Sequence, residues 1–192
     1  MIRKILFASV AVATLALSSA AFAFPGYGND SGGPALIITL NSDGTTSLTA
    51  TGQPATYDGA DDTYIGVVNN SGHTVNALTL TSGTNIFGFE GDGISNVTYG
   101  APGNSSDPSQ YGGPHGYFTN INGSQTNGVV NFIGGIADGG SDYFSLEQAL
   151  NTASFTTRPG AVPEPGTWAM MLGGMAVVGA MLRRRQSKAV FA

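Results

Sequence analysis

The feature that most constrains the fold of this chain is a two-residue hydrophobic period in short segments between glycine-rich turns. Alternation is clear in Val75 to Leu80 and around Ile86 to Phe89. Period two places successive side chains on opposite faces of a strand, whereas an amphipathic helix needs a period of about 3.6. Nine runs of this kind occur, at 35–40, 45–51, 63–69, 74–81, 85–89, 96–99, 117–121, 129–133 and 142–146. They predict a mainly β domain, an antiparallel β-sandwich of the Ig-like or jelly-roll-like kind.

Turn-forming residues separate the runs. Asn41 to Gly44 and Asn70 to His73 both have the composition of a hairpin turn. The connection over residues 100–116 is longer and rich in glycine, proline, serine and asparagine. A connection of that length in a compact domain is typical of a functional or a mobile loop.

The amino terminus has the parts of a secretory signal peptide. Two basic residues precede an apolar run over residues 5–17, and Ala21-Phe22-Ala23 then supplies small residues at both cleavage-site positions. This pattern predicts cleavage between Ala23 and Phe24. It also predicts the Sec export machinery as a partner.

The carboxyl terminus has another three-part order. Pro163-Glu164-Pro165 leads into an uncharged stretch, 167–182, and then into the cluster Arg183, Arg184 and Arg185. A helix over that stretch would be about 24 Å long, which is short against a bilayer core of about 30 Å. The prolines keep the preceding chain extended, and arginines stay on the cytoplasmic side of a membrane. The order predicts a single transmembrane helix at 167–182 that retains the protein temporarily, with everything upstream outside.

This order resembles the PEP-CTERM tail of exported Gram-negative bacterial proteins, which a membrane protease, exosortase, processes. The resemblance covers about the last thirty residues. It implies a sorting signal at Pro163, Glu164 and Pro165, a topology signal in the arginine cluster, an exosortase-like protease as partner, and a transient stay in the inner membrane. Three further segments, 57–71, 86–94 and 139–147, look like blocks that recur in exported PEP-CTERM proteins of unassigned activity.

The two ends divide the chain into a signal peptide (1–23), an exported β-domain (24–162) and a sorting tail (163–192). The middle part has 139 residues, enough for one domain with its own core. It holds one basic residue, Arg158, against eleven carboxylates, so its formal charge is −10. Such a surface repels nucleic acid and anionic lipid, and we expect no nucleic-acid partner. The chain has no cysteine, so the domain relies on packing.

Residue patterns typical of catalysis are sparse. The chain has no His-x-x-x-His and no Gly-x-Ser-x-Gly, so spacing identifies neither a zinc site nor a nucleophile elbow. His73 falls in a predicted turn and His115 in the long connection, where a solvated histidine is the ordinary interpretation. We expect no enzyme, with a carbohydrate-binding module or a secreted hydrolase as the alternatives. Aromatic residues that could stack on sugars are Tyr27, Tyr99, Tyr111, Tyr117 and Phe118.

Two acidic turns form the candidate metal site. Asp58, Asp61 and Asp62 lie within five residues, and Glu90 and Asp92 flank a glycine. Calcium takes about six to eight oxygen ligands, and glycine-rich turns expose carbonyl oxygens. Neither turn has the EF-hand spacing, and the alternative that these acids are turn formers and solubilising charge stays open.

Taken together, these patterns predict a surface- or matrix-associated protein that is not an enzyme and is linked to exopolysaccharide or biofilm. The export and processing parts of this prediction depend on the two chain ends. The expected partners of the β-domain are extracellular polysaccharide and, at the acidic turns, calcium.

Overall fold

The computed structural model describes residues 23–153, 155–159 and 174–176. Within these ranges the strands are β1 (Leu36–Asn41), β2 (Thr46–Ala50), β3 (Thr63–Asn70), β4 (Val75–Ser82), β5 (Gly116–Thr119), β6 (Asn127–Ile136), β7 (Ser141–Leu146) and β8 (Phe155–Pro159). Residues 174–176 are helical, and no helix in the described ranges has the length and apolar character needed to cross a membrane. Apart from Ala23 and residues 174–176, the predicted signal peptide, proline-rich turn, transmembrane helix and arginine cluster lie outside the described residues.

The described strands form two four-stranded sheets, in the orders β2-β1-β3-β7 and β5-β6-β4-β8. All neighbouring pairs are antiparallel except β1 and β3, which are parallel. A mainly β chain with two sheets is therefore confirmed, but a wholly antiparallel one is wrong. β3 follows β2 in the chain, pairs with the other edge of β1 and runs in the same direction as β1. An Ig-like or jelly-roll-like topology stays a prediction.

The two sheets pack face to face through one hydrophobic core. β1 buries every second side chain more deeply than the residues between, which is the period that the sequence predicts. Phe144 of β7 lies between the sheets, with ring centroids 6.0 Å from Phe118 of β5 and 6.4 Å from Phe132 of β6. On the other side of the sandwich, Thr46 Oγ1 of β2 donates to the carbonyl of Thr157 in β8 at 3.0 Å.

A second layer of loops covers the outer face of the first sheet. Tyr64 of β3 and Tyr143 of β7 alternate with core residues, yet they are 0% and 9% exposed. The ring of Tyr27 lies 5.7 Å from both, and its hydroxyl is 2.9 Å from that of Tyr143. The other members of this outer layer are Phe24, Tyr57, Ile94, Tyr99 and Ala101. β3 is consequently buried on both faces along nearly its whole length.

Two predicted strands are wrong and one strand was not predicted. Ile86 is a core residue, but its backbone bonds to Gln125 on one side and to Glu147 on the other, so 85–89 bridges segments instead of joining a ladder. Asn96 opens a turn, because its carbonyl accepts the amide N–H of Tyr99 at 3.0 Å. The unpredicted strand, β8, is rich in threonine and contains Arg158. As an edge strand it pairs only with β4, so apolar alternation is not required of it.

One of the two predicted hairpin turns is confirmed. Asn41 accepts the amide N–H of Gly44 at 3.0 Å and joins β1 to β2, with Gly44 at a φ of 80°. The turn at 70–73 is not a hairpin, because β3 and β4 belong to different sheets. The side chain of Asn69 fixes this crossing by donating to the carbonyls of His73 and Ile136, both at 2.7 Å.

Asp30 is a buried carboxyl group at the edge of the outer layer. Its exposed fraction is 0%, and neither of its carboxyl oxygens has a hydrogen-bond partner in the described structure. Burial disfavours the ionised form and raises the pKa of Asp30 to about 6. At neutral pH, folding therefore moves a carboxylate that is ionised in the unfolded chain out of water, which lowers the free energy of unfolding.

Replacing this carboxyl group should remove part of the pH dependence of stability. The pKa of Asp30 in the folded chain exceeds its unfolded value of about 3.9. The contribution of Asp30 to the free energy of unfolding is therefore fully present below about pH 4 and is lost as pH rises through about 6. The loss is on the order of 2–3 kcal/mol. We expect Asp30→Asn to flatten the plot of the free energy of unfolding against pH between pH 4 and 6. The measurement is urea denaturation of the full chain from pH 4 to 8.

Asp43→Asn is the matched control. Hydrogen bonds from Thr45 lower the pKa of the exposed Asp43, so its contribution is lost toward acid, in the opposite direction. An unchanged slope between pH 4 and 6 in Asp30→Asn would contradict the assignment.

Candidate functional site

The pairing of β3 with β7 brings two carboxylates together at one end of the first sheet. Thr63 lies opposite Leu146 in this antiparallel pair. Asp62 immediately precedes Thr63, and Glu147 immediately follows Leu146, so the register makes them neighbours. Both are buried, with exposed fractions of 1% and 5%. One carboxylate oxygen from each of Asp61, Asp62 and Glu147 lies within 4.8 Å of the others.

Tyr111, from the long connection, places its hydroxyl among these carboxylates. The hydroxyl oxygen is 2.5 Å from Glu147 Oε2, 2.7 Å from Asp92 Oδ1 and 3.2 Å from Asp62 Oδ1. A phenol has one proton to donate, so it can satisfy only one ionised carboxylate fully. The remaining contacts require a proton on a carboxyl group or a cation among them. We call Asp61, Asp62, Asp92, Glu147 and Tyr111 the carboxylate cluster.

The long connection is shaped to hold Tyr111 in place. Asp107 accepts the amide N–H of Gly112 at 2.6 Å and that of Ser109 at 3.2 Å. The carbonyl of Tyr111 accepts the amide N–H of Ser145 in β7 at 2.7 Å, and its ring stacks on Phe89 with centroids 4.4 Å apart. These contacts explain how a loop rich in glycine and proline delivers one hydroxyl to a defined point.

Burial controls the protonation of the carboxylate cluster. Desolvation is the main cause that raises the pKa of Asp62 to about 8. A hydrogen bond from Tyr57 Oη at 2.9 Å acts against this rise, and the charges of Glu147, Asp58 and Asp92 act in its favour. Burial also raises the pKa of Glu147. The pKa of Tyr111 is raised by desolvation and by its carboxylate partners, so its proton is retained. The cluster therefore favours a compensating positive charge or bound protons.

The structure distributes the five predicted metal ligands unequally. Asp61, Asp62 and Asp92 belong to the carboxylate cluster, whereas Asp58 Oδ1 accepts the amide N–H groups of Ala60 and Asp62, both at 3.1 Å. Glu90 has an exposed side chain and contributes its backbone amide to Glu147 Oε2 at 3.3 Å.

Sequence reasoning did not place Glu147 or Tyr111 beside the acidic turns, although it named Tyr111 as a candidate sugar-stacking residue. Each is far along the chain from the acidic turns, and only strand pairing and loop geometry bring them there. The signal that could have found Glu147 is its position directly after an aromatic-rich strand, which mirrors the position of Asp62 directly before one.

A second polar site lies at the opposite end of β7. His115 Nδ1 is 3.2 Å from Asp142 Oδ2, with side chains that are 58% and 8% exposed. The predicted solvated histidine is therefore accessible but also oriented by a buried carboxylate. Ser141 makes no hydrogen bond to His115 in the described structure. His73 has Nδ1 3.1 Å from the carbonyl of Ser71 in an exposed turn.

The five candidate stacking aromatics do not share a surface. Tyr111 is buried in the carboxylate cluster, and Tyr27 and Tyr99 are half-buried in the outer layer. Phe118 packs against the core from β5, while Tyr117 beside it is half-buried. A sugar-stacking platform of these residues is therefore not assembled within the described ranges.

Outside the strands, residues 161–185 match a family model described as the PEP-CTERM protein-sorting motif. This chain carries a PEP-CTERM sorting motif. The match includes Pro163-Glu164-Pro165 and the arginine cluster, and it confirms the resemblance found in the sequence. The motif implies an exported protein that is sorted by way of the membrane and processed by an exosortase. Comparison with curated proteins and with solved structures finds no match.

The hydroxyl of Tyr111 should stabilise the β-domain of this protein. Tyr111→Phe keeps the ring on Phe89 but removes a donor from buried Asp62 and Glu147. We expect the free energy of unfolding at pH 7 to fall by about 1–3 kcal/mol in urea denaturation, the cost of an unsatisfied buried polar group. Tyr117→Phe, whose hydroxyl makes no hydrogen bond in the described structure, should change it by no more than about 0.5 kcal/mol. Equal effects of the two variants would contradict a special role for the Tyr111 hydroxyl.

Proposed function

We propose that this protein is a non-enzymatic component of the surface or extracellular matrix of a Gram-negative bacterium. It is exported through the Sec machinery and released from the membrane by an exosortase-like protease. The order of its parts carries the proposal, since β8 ends at Pro159 and the sorting motif begins at residue 161. Cleavage near Pro163-Glu164-Pro165 leaves all eight described strands in the product.

The geometry of the polar groups supports a role without catalysis. A glycosidase needs two carboxyl groups about 5–10 Å apart in a cleft that admits substrate. Asp62 and Glu147 are closer together than this and almost fully buried, and Tyr111 stands between them. A hydrolase is therefore less well supported than a binding or structural protein.

The surface composition supports a partner in the extracellular polysaccharide. The β-domain carries a formal charge of −10 and many asparagine, serine and threonine side chains. This combination disfavours anionic macromolecules and leaves neutral hydrogen-bonding groups for contact with hydrated polymers. We propose that the protein is retained among such polymers after processing, in association with exopolysaccharide or biofilm.

We further propose calcium as the counter-charge of the carboxylate cluster. The cluster offers oxygen ligands only, which is the preference of this ion, and the loops around it supply carbonyl oxygens. A cation would balance the buried charges of Asp62 and Glu147 and would link the segments 58–62 and 90–92 to the end of β7. In this function the ion stabilises the fold outside the cell.

Processing should be visible in the mass of the exported protein. Mass spectrometry of extracellular material should find a chain that begins near Phe24, retains Arg158 and lacks Trp168. Trp168 is the only tryptophan, so this product should show tyrosine but no tryptophan fluorescence. Recovery of an intact chain ending at Ala192 from the cell exterior would contradict the proposal of exosortase processing.

Calcium should raise the melting temperature of the protein more than sodium does at equal ionic strength. An ion that binds only the folded state stabilises it by about 2.7 kcal/mol at one hundred times its Kd, whereas general screening acts equally for both salts. The measurement is calorimetry of the full chain. The excess effect of calcium should vanish in the double variant Asp62→Asn with Glu147→Gln and persist in Asp43→Asn. Equal increases in the melting temperature of the unmodified protein with the two salts would contradict calcium binding at the carboxylate cluster.

A further inference from the structure

The cavity beside the His115–Asp142 pair has the features of a built binding site. Its volume is about 170 Å³, and its walls include His115, Ile133, Gly135, Gly140, Ser141 and Asp142. The side chains of His115, Ile133 and Ser141 are exposed, so the cavity opens to solvent. Pockets for drug-sized ligands are larger, about 300–1,000 Å³. This one suits a small ligand or a single residue of a polymer.

A β-bulge in β6 builds one wall of this cavity. The register between β4 and β6 shifts between Val75 and Ala77, which forces extra residues of β6 outward. Gly134 and Gly135 lie at this point with φ values of 79° and 72°, a conformation that side-chain-bearing residues rarely adopt. The bulge leaves Ile133 at the cavity with an exposed fraction of 46%. Bulges are over-represented beside functional sites because they redirect side chains in this way.

The opposite wall is held in place by the buried Asn69. Its side chain donates to the carbonyl of Ile136 at 2.7 Å, and its backbone amide donates to the carbonyl of Gly140 at 2.9 Å. The amide of Gly139 donates in turn to the carbonyl of Asn69 at 2.7 Å. The turn between β6 and β7 is therefore fixed before any ligand arrives, which lowers the entropy lost on binding.

The polar groups at the cavity present hydrogen-bonding atoms in a defined orientation. Asp142 Oδ1 accepts the amide N–H of Tyr143 at 2.8 Å, so Oδ2 is directed to His115. Because Nδ1 faces Asp142, Nε2 is the ring nitrogen left for a ligand. The hydroxyl of Ser141 can both donate and accept. These groups match the hydroxyls of a ligand, while Ile133 offers an apolar surface.

The charge of the site excludes other classes of ligand. Among the described residues neither lysine nor arginine lines the cavity, and the domain carries a formal charge of −10, which disfavours phosphates and carboxylates. A structural metal usually needs four protein ligands, and one imidazole with one carboxylate does not supply them. A neutral ligand with many hydroxyl groups remains.

We propose that this cavity binds a neutral hexose residue of a glycan. His115 and Ser141 would hydrogen-bond the hydroxyls of the sugar, Asp142 would fix the imidazole, and Ile133 would pack against the apolar face of the ring. The inference rests on the proposed function, since it names how the exported domain contacts polysaccharide. It makes His115 a binding residue and Asp142 a positioning residue.

The two histidines of the chain allow a direct test. The full chain, labelled with ¹⁵N in its histidines and held in a zwitterionic detergent without sugar groups, is titrated separately with D-glucose, D-galactose, D-mannose and N-acetyl-D-glucosamine. His73→Gln assigns the ring signals. We expect at least one sugar to shift the ring signals of His115 in a saturable way and to leave those of His73 unchanged.

Matched variants separate binding from general structure. His115→Gln should weaken binding of that sugar about tenfold, as loss of a ligand hydrogen bond implies, and His73→Gln should leave it unchanged. Ile133→Ser should also weaken it, with the circular dichroism of both variants unchanged. The absence of saturable shifts with all four sugars, equal shifts of both histidines, or full affinity in His115→Gln would each overturn the proposal. None of these results depends on cleavage of the tail, so mass spectrometry of the exported protein tests exosortase processing independently of sugar binding.

Discussion

The antiparallel pairing of β3 with β7 is the constraint on which both polar sites depend. β3 is buried on both faces, between the sandwich core and the outer layer of tyrosines. Its register with β7 places Asp62 beside Glu147 at one end of the pair and Asp142 at the other. A slip of one residue would turn every inward side chain of β7 outward and would separate these groups. Hydrophobic burial on two faces therefore holds Asp62 and Glu147 next to each other against their mutual repulsion.

The period-two pattern was sufficient to predict most of the strands, since an inward face must be apolar wherever it meets a core. It failed at Ile86 and Phe87, which are core residues in an irregular segment, because burial does not require a backbone ladder. It also missed β8, whose exposed edge position places little demand on its side chains. The parallel contact of β1 with β3 depends on the path of the connection between β2 and β3, and the strand pattern carries no signal for that path.

The acidic turns could be identified from the sequence, but their partners could not. Asp61 and Asp62 attract attention because they are adjacent, whereas Glu147 and Tyr111 reach the same point through strand pairing and a long loop. His115 illustrates a related limit, because its loop position predicts solvent exposure but its contact with Asp142 comes from the other sheet. The sorting motif was recognisable for the opposite reason. It is read as a linear order of residues, so its signal does not depend on tertiary contacts.

β8 is the last described strand in the chain, and its contact with β2 joins the two sheets along one side. In a chain exported from its amino terminus, these residues emerge after all the other described strands. Until they arrive, β4 has an unpaired edge that could accept a strand from a neighbouring copy. In such a chain β8 would cover this edge only when the residues next to the sorting motif emerge, because the motif begins two residues after Pro159.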